Sequence, residues 1–340
     1  VAARKGTVAA GKRLATINLE STPENRRRYR ELFLATPGIE KYLSGVIFYD
    51  ETLRQTMSDG TTFLDHLKKI GILPGIKVDA GLKDLPNFPG EQYTQGLDGL
   101  RERLAEYKKM GAMFTKWRSV IKIDCTEAAI HSNCHGMGLY AALVQEAGMV
   151  PMVEPEVLID GTHTIEQSYE VTTKILKTLF SLLPRFRVDL KGLILKTSMV
   201  ISGKECPNQA DAKTVGEMTW KCLKESVPAE LGGVVFLSGG QSTEQATDNL
   251  NEINKTAQAE GKLPSGATPW QLTFSYARAL QGDPLKLWSG DDKNLPAARA
   301  RFLELLEANS AARMGQWQGG RAHNGLHNTH GAKGEVRLHP

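Results

Sequence analysis

The stretch Gly192-Leu193-Ile194-Leu195-Lys196 decides how the rest of the chain is read. It is a short continuous apolar run that ends in a lysine. A second such run, Met149 to Val153, ends in Glu154-Pro155-Glu156. Runs of this length bounded by polar residues read as strands buried on both faces. Five more follow the same pattern: Gly45 to Tyr49, Gly75 to Val78, Trp117 to Ile123, Val234 to Leu237 and Trp270 to Phe274. Helical periodicity fills the intervals, over 22–34, 98–110, 136–147, 163–183, 211–226, 242–258 and 296–313. Thr22-Pro23 supplies a capping hydroxyl and a first helical residue with no amide hydrogen to satisfy. Ser242-Thr243-Glu244-Gln245 has the form of a capping box.

Strand–helix units in series predict a parallel sheet with helices outside it. A closed (β/α)8 TIM barrel is expected over an open doubly wound sheet. Lys77, Glu154, Lys196, Ser238 and Arg278 recur at the C-terminal ends of the apolar runs. Those ends converge on one mouth in a barrel, whereas only the ends at the switch point meet in an open sheet. No GxGxxG follows a strand, which argues against a dinucleotide fold.

Composition narrows the classes. The chain has 340 residues, 41% of them hydrophobic, with a formal net charge of +4. That balance is mild and mixed, so neither a nucleic acid nor a membrane surface is expected as partner. Arg26-Arg27-Arg28 is read as the solvated face of a helix. The four cysteines form no CxxC pair, which fits free thiols in a reducing compartment. His131, Cys134 and His135 are read as ordinary helix residues, and no metal site is expected. No stretch approaches the roughly 20 apolar residues that span a bilayer. With Val1 in first place, the chain reads as a processed or truncated form. The expected organisation is one barrel domain over residues 1–314 and a Gly- and His-rich tail over 315–340, mobile or draped on the surface.

The strand-end residues suggest a chemistry. Burial disfavours the ammonium form of Lys196 and so favours a free amine, which can attack a ketone and form an iminium. That cation stabilises carbanion character at the adjacent carbon. Glu154 is the favoured acid/base for the dehydration and hydrolysis protons. Glu156 is expected on the opposite side of the strand, with Pro155 as a reason to keep both. Lys116 is expected to pair with one of these carboxylates. The plain alternative is a strand-end lysine whose stem is buried and whose ammonium reaches water. Ser238-Gly239-Gly240 follows a strand and precedes a capped helix, so its amides can cradle a phosphate, with Arg278 on the next strand as a bidentate partner. The alternative there is a tight turn and a surface arginine.

Several segments in order carry a likeness to a known family. GKRLA at 11–15, GIKVD at 75–79, QGLDGL at 95–100, KWR at 116–118, VEPEVL at 153–158, LILKTSMV at 193–200, FLSGGQS at 236–242 and LTFSYARALQ at 272–281 resemble class I fructose-1,6-bisphosphate aldolases, the Schiff-base type. The resemblance spans about residues 7–316, and PGIEKYLSG at 37–45 with FSYARAL at 274–280 is similar to the plastid branch. It implies reversible cleavage of fructose 1,6-bisphosphate to glycerone phosphate and glyceraldehyde 3-phosphate, through an imine on Lys196 and with no other cofactor. It gives Glu154 and Glu156 the proton transfers and sets Lys116 and Arg118 beside the substrate. Ser238, Gly239 and Arg278 match the site of the C1 phosphate, and Lys77 and Arg13 groups around the C6 phosphate. It implies a homotetramer and, from the plastid likeness, the chloroplast stroma. Two ends depart from the pattern. Counted without gaps, Arg4 and Lys5 fall where the family's first strand carries Asp and Glu, and Gly6 falls in place of Ser. A first strand cut short in this way would leave two sheet edges. The last tyrosine is Tyr276, so no residue matches the family's C-terminal tyrosine. Thr197 replaces a proline, Ala277 is a plastid-like variant, and Trp317 lacks a neighbouring Lys-Tyr pair. The leading expectation is an aldolase. The second is a catalytically impaired protein of the same fold serving as a structural or scaffold subunit of a larger assembly. The third is another Schiff-base enzyme of transaldolase type.

Overall fold

The computed structural model describes residues 3–260 and 269–319, with side chains from Ala9 onward. The strands are β1 (Gly45–Phe48), β2 (Leu73–Lys77), β3 (Gly81–Asp84), β4 (Gln92–Gln95), β5 (Phe114–Ile121), β6 (Val150–Val157), β7 (Ile194–Thr197), β8 (Gly233–Phe236) and β9 (Leu272–Phe274). Seven of them form one parallel sheet in the order β1-β2-β5-β6-β7-β8-β9. Helices intervene between the successive strands of this sheet, so the fold is an α/β barrel. Among the described residues no strand joins β9 to β1, and the barrel stays open there. All seven apolar runs are strands. The hairpin of β3 and β4, inserted between β2 and β5, lacked an apolar run to announce it.

The start of the chain differs from the expected strand remnant. Ala3–Ala15 form an α-helix, as the run Thr7 to Ala15 with its alanines allows. The side chains of Arg4 and Lys5 lie outside the described residues, as does the tail from residue 320. The stretch just before it runs along the helix Thr243–Glu260, where the Trp317 amide donates to Asn251 Oδ1 at 2.8 Å and its indole N–H to Asp248 at 2.9 Å.

Capping sets the helix starts. Thr22 accepts from the Asn25 amide at 3.1 Å, and Ser242 and Gln245 exchange the two bonds of a capping box, each at 3.1 Å. Thr126 caps Glu127–Glu146, which therefore begins well before the expected residue 136. Besides Ala3–Ala15, three α-helices were not anticipated: Asp50–Leu53, Phe63–Ile70 and Arg278–Trp288. The arginine triplet is not a solvated face. Arg26 is buried against Glu51, Arg27 pairs with Glu24 and Glu31, and Arg28 reaches Asp292 over the Trp288 ring. Glu51 and Asp292, distant in sequence and shown by no local pattern, hold Arg26 and Arg28, whereas Arg27 pairs along its own helix.

Alternation along the strands separates two cores. Trp117, Val153, Leu195, Val234 and Phe236 face outward into the layer beneath the helices, where the Trp117 ring lies 5.2 Å from Tyr140. The residues between them face inward. Phe114, Met152, Ile194 and Val235 pack together with Ile47, Leu73 and Val150, closing the bottom of the barrel. A Cβ on Gly75 would stand 2.4 Å from the Phe114 ring, so glycine there lets that ring fill the interior. One step further along the same inward faces, the apolar layer gives way to charge.

Candidate active site

Inward positions two residues beyond Phe114, Met152 and Ile194 are Lys116, Glu154 and Lys196. Parallel register places Lys77 beside Lys116 and Arg118 beside Glu154, so these groups rise on adjoining strands just above the apolar layer. Glu154 bridges two amines. One oxygen lies 2.6 Å from Lys116 Nζ and the other 3.3 Å from Lys196 Nζ. Lys196 is 7% exposed and Glu154 3%, so the bridge is largely shielded from water. The next inward positions, Arg118 and Glu156, pair at 2.6 Å with the arginine nearer solvent. Glu156 therefore does not turn away from Glu154. Residues two apart share a strand face, and β6 stays extended through Pro155.

Burial and charge work in opposite directions at this tier. Burial pulls Lys196 down, Glu154 pulls it back and Lys116 pushes it down again, leaving it at about 8. Burial alone would raise the Glu154 carboxyl, but Lys116, Lys196 and the Lys116 hydrogen bond hold it down at about 2. Lys116 is raised: burial works against its charge, and Glu154 and Asp79 outweigh that cost. The pattern is one firmly charged lysine, one carboxylate and one lysine that gives up its proton near neutrality.

Asp79 was quoted only as part of a motif, yet it organises the next strand ends. It is 5% exposed. Its carboxylate accepts from Lys77 Nζ at 2.5 Å, from the Gly81 amide at 3.0 Å and from the Arg118 amide at 3.1 Å. Its i+2 spacing from Lys77 was the available signal, since it puts both on one face. The turn after β8 has a conformation suited to a phosphate cradle. Gly239 and Gly240 have φ of +58° and +90°, the left-handed region, directly after Ser238 and before the capped helix. The Arg278 guanidinium lies 3.7 Å from where a Cβ on Gly240 would stand. Arg278 opens a helix and does not end a strand. Arg13 and Lys77 have different hydrogen-bond partners. Its guanidinium donates to the Tyr29 hydroxyl at 2.8 Å and to Gln281, one turn along the helix that Arg278 opens. Among the described residues no group of three or more His, Cys, Asp or Glu is arranged to hold a metal ion, and His131 and His135 stack 6.2 Å apart on one helix.

This arrangement can form an imine at Lys196 and pass protons through Glu154, beside groups suited to a phosphate. The comparisons agree with that chemistry. A family model described as fructose-bisphosphate aldolase class-I matches residues 1–333. The probable fructose-bisphosphate aldolase class 1 of Xanthomonas axonopodis pv. citri is 48% identical over 323 residues, 94% of each chain. The fructose-bisphosphate aldolase of Dictyostelium discoideum is 45% identical over 325 residues, 94% of this chain and 88% of that one. A solved structure of fructose-bisphosphate aldolase from Plasmodium falciparum, in complex with TRAP and a small-molecule inhibitor, superposes with a TM-score of 0.88 at 45% identity, covering 92% of this chain and 89% of that one. The chain belongs to the class I fructose-bisphosphate aldolase family.

Proposed function

We propose that this chain reversibly cleaves fructose 1,6-bisphosphate to glycerone phosphate and glyceraldehyde 3-phosphate, with Lys196 as the nucleophile. The observation that carries this reading is the buried Glu154 bridge to Lys116 and Lys196. The free Lys196 amine attacks the substrate ketone. Glu154, a carboxylate, carries the proton lost by the attacking nitrogen to the carbinolamine oxygen and relays a second from solvent, so that water leaves and the iminium forms. Breaking the carbon–carbon bond sends its electron pair into that iminium as an enamine, a proton taken up at the enamine carbon restores the iminium, and water hydrolyses it to the ketone and the free Lys196 amine. Lys116 keeps Glu154 oriented. Ser238, Gly239 and Arg278 take the C1 phosphate, Lys77 and Arg13 serve the phosphate at C6, and Arg118 with Glu156 lines the entrance. No metal is needed, because the iminium is the electron sink. The test is cleavage by the unmodified chain against Lys196→Met. Cleavage by the first and none by the second supports the reading, whereas equal activity refutes it.

A second reading has its own observation. Ala3–Ala15 is helical, and no described strand lies between β9 and β1, where the family's first strand carries its cleaving Asp. In that case the chain forms the imine and cleaves poorly, and acts as a structural subunit. Trapping of glycerone phosphate without cleavage would select it. A homotetramer is the assembly we favour, testable by light scattering. A stromal location rests on PGIEKYLSG and FSYARAL alone. Similar relatives include a cytosolic and a chloroplastic aldolase of Arabidopsis thaliana, 46% and 44% identical. One barrel over 1–314 with a separate tail is the organisation we retain, and limited proteolysis would test it.

A further inference from the structure

We propose that Tyr49 is a catalytic residue of this mouth, its hydroxyl touching the bound sugar phosphate and taking up the proton of the sugar hydroxyl that becomes the aldehyde. The inference rests on the aldolase reading above and goes beyond it in naming the group.

Three observations place Tyr49 there. Phe48, the last residue of β1, pairs with Ile76, so the residue that follows it continues towards Lys77, which itself pairs with Lys116. Tyr49 has φ −92° and ψ 159°, so the extended backbone continues through it before the helix Asp50–Leu53 begins. Alternation then turns its side chain to the face of Ile47, which packs in the apolar layer under the charged tier. Tyr49 thus stands at the level of Lys77 and Lys116, just past the end of the edge strand β1 that borders the open side of the barrel.

Its surroundings suit proton transfer. Tyr49 is partly exposed, and its hydroxyl makes no hydrogen bond to the described residues. Tyr49 interacts electrostatically with both Lys116 and Arg13, which sets its side chain near two cations of the mouth. Other tyrosines near the barrel are tied down. Tyr29 donates to Gln281 at 2.7 Å, Tyr276 to the Ala246 carbonyl at 2.9 Å, and Tyr140 bonds Thr115 at 2.5 Å. Asp79 is committed to Lys77, Gly81 and Arg118. Among these groups only the Tyr49 hydroxyl is left over.

The step balances. The O–H bond of the sugar hydroxyl breaks and its oxygen becomes a carbonyl. The adjacent carbon–carbon bond breaks, and its electron pair enters the iminium on Lys196 as an enamine. The proton passes to the Tyr49 oxygen while Tyr49 releases its own to water, so the hydroxyl is regenerated.

Tyr49→Phe removes the oxygen and keeps the ring, so the fold is retained. Two readouts are taken, single-turnover cleavage of fructose 1,6-bisphosphate and borohydride trapping of glycerone phosphate. The expected result is a loss of about 100-fold in the cleavage rate, typical of a lost acid/base group, with KM changed less than about threefold and trapping as in the unmodified chain. Normal trapping with cleavage within about twofold of the unmodified chain overturns this proposal alone. Failure of the unmodified chain to trap overturns the aldolase reading and Tyr49's role with it.

Discussion

Glu154→Gln is the most informative single change, because one carboxylate serves two buried amines. At 2.6 and 3.3 Å from Lys116 and Lys196, and with an effective dielectric of about 20, each attraction is on the order of 5–6 kcal/mol. Much of that offsets the cost of burying the carboxylate. The net loss on removing one partner from such a pair is about 3–5 kcal/mol. Asp79 still acts on Lys116, which favours the lower end of that range. At about 2 °C per kcal/mol, the melting temperature at pH 7 should fall by about 6 °C. The deficit depends on pH with a defined sign. The Glu154 carboxyl is depressed to about 2 in the fold, so its contribution is complete above its ordinary value of 4.5 and fades as pH falls towards 2. The gap between the variant and the unmodified chain should therefore narrow between pH 5 and pH 2, roughly the span of those two values. The variant should also form the imine more slowly, by about 100-fold, having lost the group that protonates the departing water. Thermal denaturation across that pH range and stopped-flow imine formation are the assays. A melting temperature within about 1 °C of the unmodified chain, with a gap indifferent to pH, would refute the ion-bridge reasoning.

Other changes separate the parts of the site. Lys196 titrates at about 8, so kcat/KM should rise with pH along a limb of that midpoint and level off above it; a flat profile from pH 6.5 to 9.5 would contradict an amine tuned by burial. The same depressed value means that the fold resists protonation of Lys196 below about 8, so Lys196→Met should leave the melting temperature level or raised at pH 7, and a fall comparable to that of Glu154→Gln would count against it. Gly239→Ala puts a methyl at φ +58° and 2.8 Å from Leu237, a strain of about 1–3 kcal/mol; KM for the bisphosphate should rise about tenfold with little change in kcat, and an unchanged KM would remove the phosphate role of this turn. Gly75→Ala drives a methyl into the Phe114 ring and should cost about 1–3 kcal/mol in denaturant unfolding, while a neutral result would show that the interior layer has slack.

The sheet was legible in the sequence because its central strands β6, β7 and β8 are buried on both faces. A run such as Val234 to Leu237 must be apolar throughout to lie between the barrel interior and the helices. The residue at which each run turned polar also marked the tier where chemistry could begin, which is how Glu154 and Lys196 were found. Elements held by partners distant in sequence were harder to see. β3 and β4 pair with each other outside the main sheet and carry mixed residues. Arg26 looked solvent-facing because Glu51 lies beyond its helix. Tyr49 and Asp79 were passed over for different reasons. The first ends a run that seemed complete at its aromatic residue, and the second carries a charge that gains meaning only when Lys77 and the Arg118 amide are seen around it. The first helix was misjudged because its likeness to a strand rested on register, and the alanine content of Ala3–Ala15 was the better guide.

The central claim is that Lys196 supplies an amine able to bond covalently to a ketone. It is tested most directly by reducing the chain with borohydride in the presence of glycerone phosphate, then locating the adduct by peptide mass spectrometry. One adduct, on the peptide holding Lys196, forming faster as pH rises towards about 8, is the expected result. An adduct on Lys116 in its place, or none at all, would contradict it.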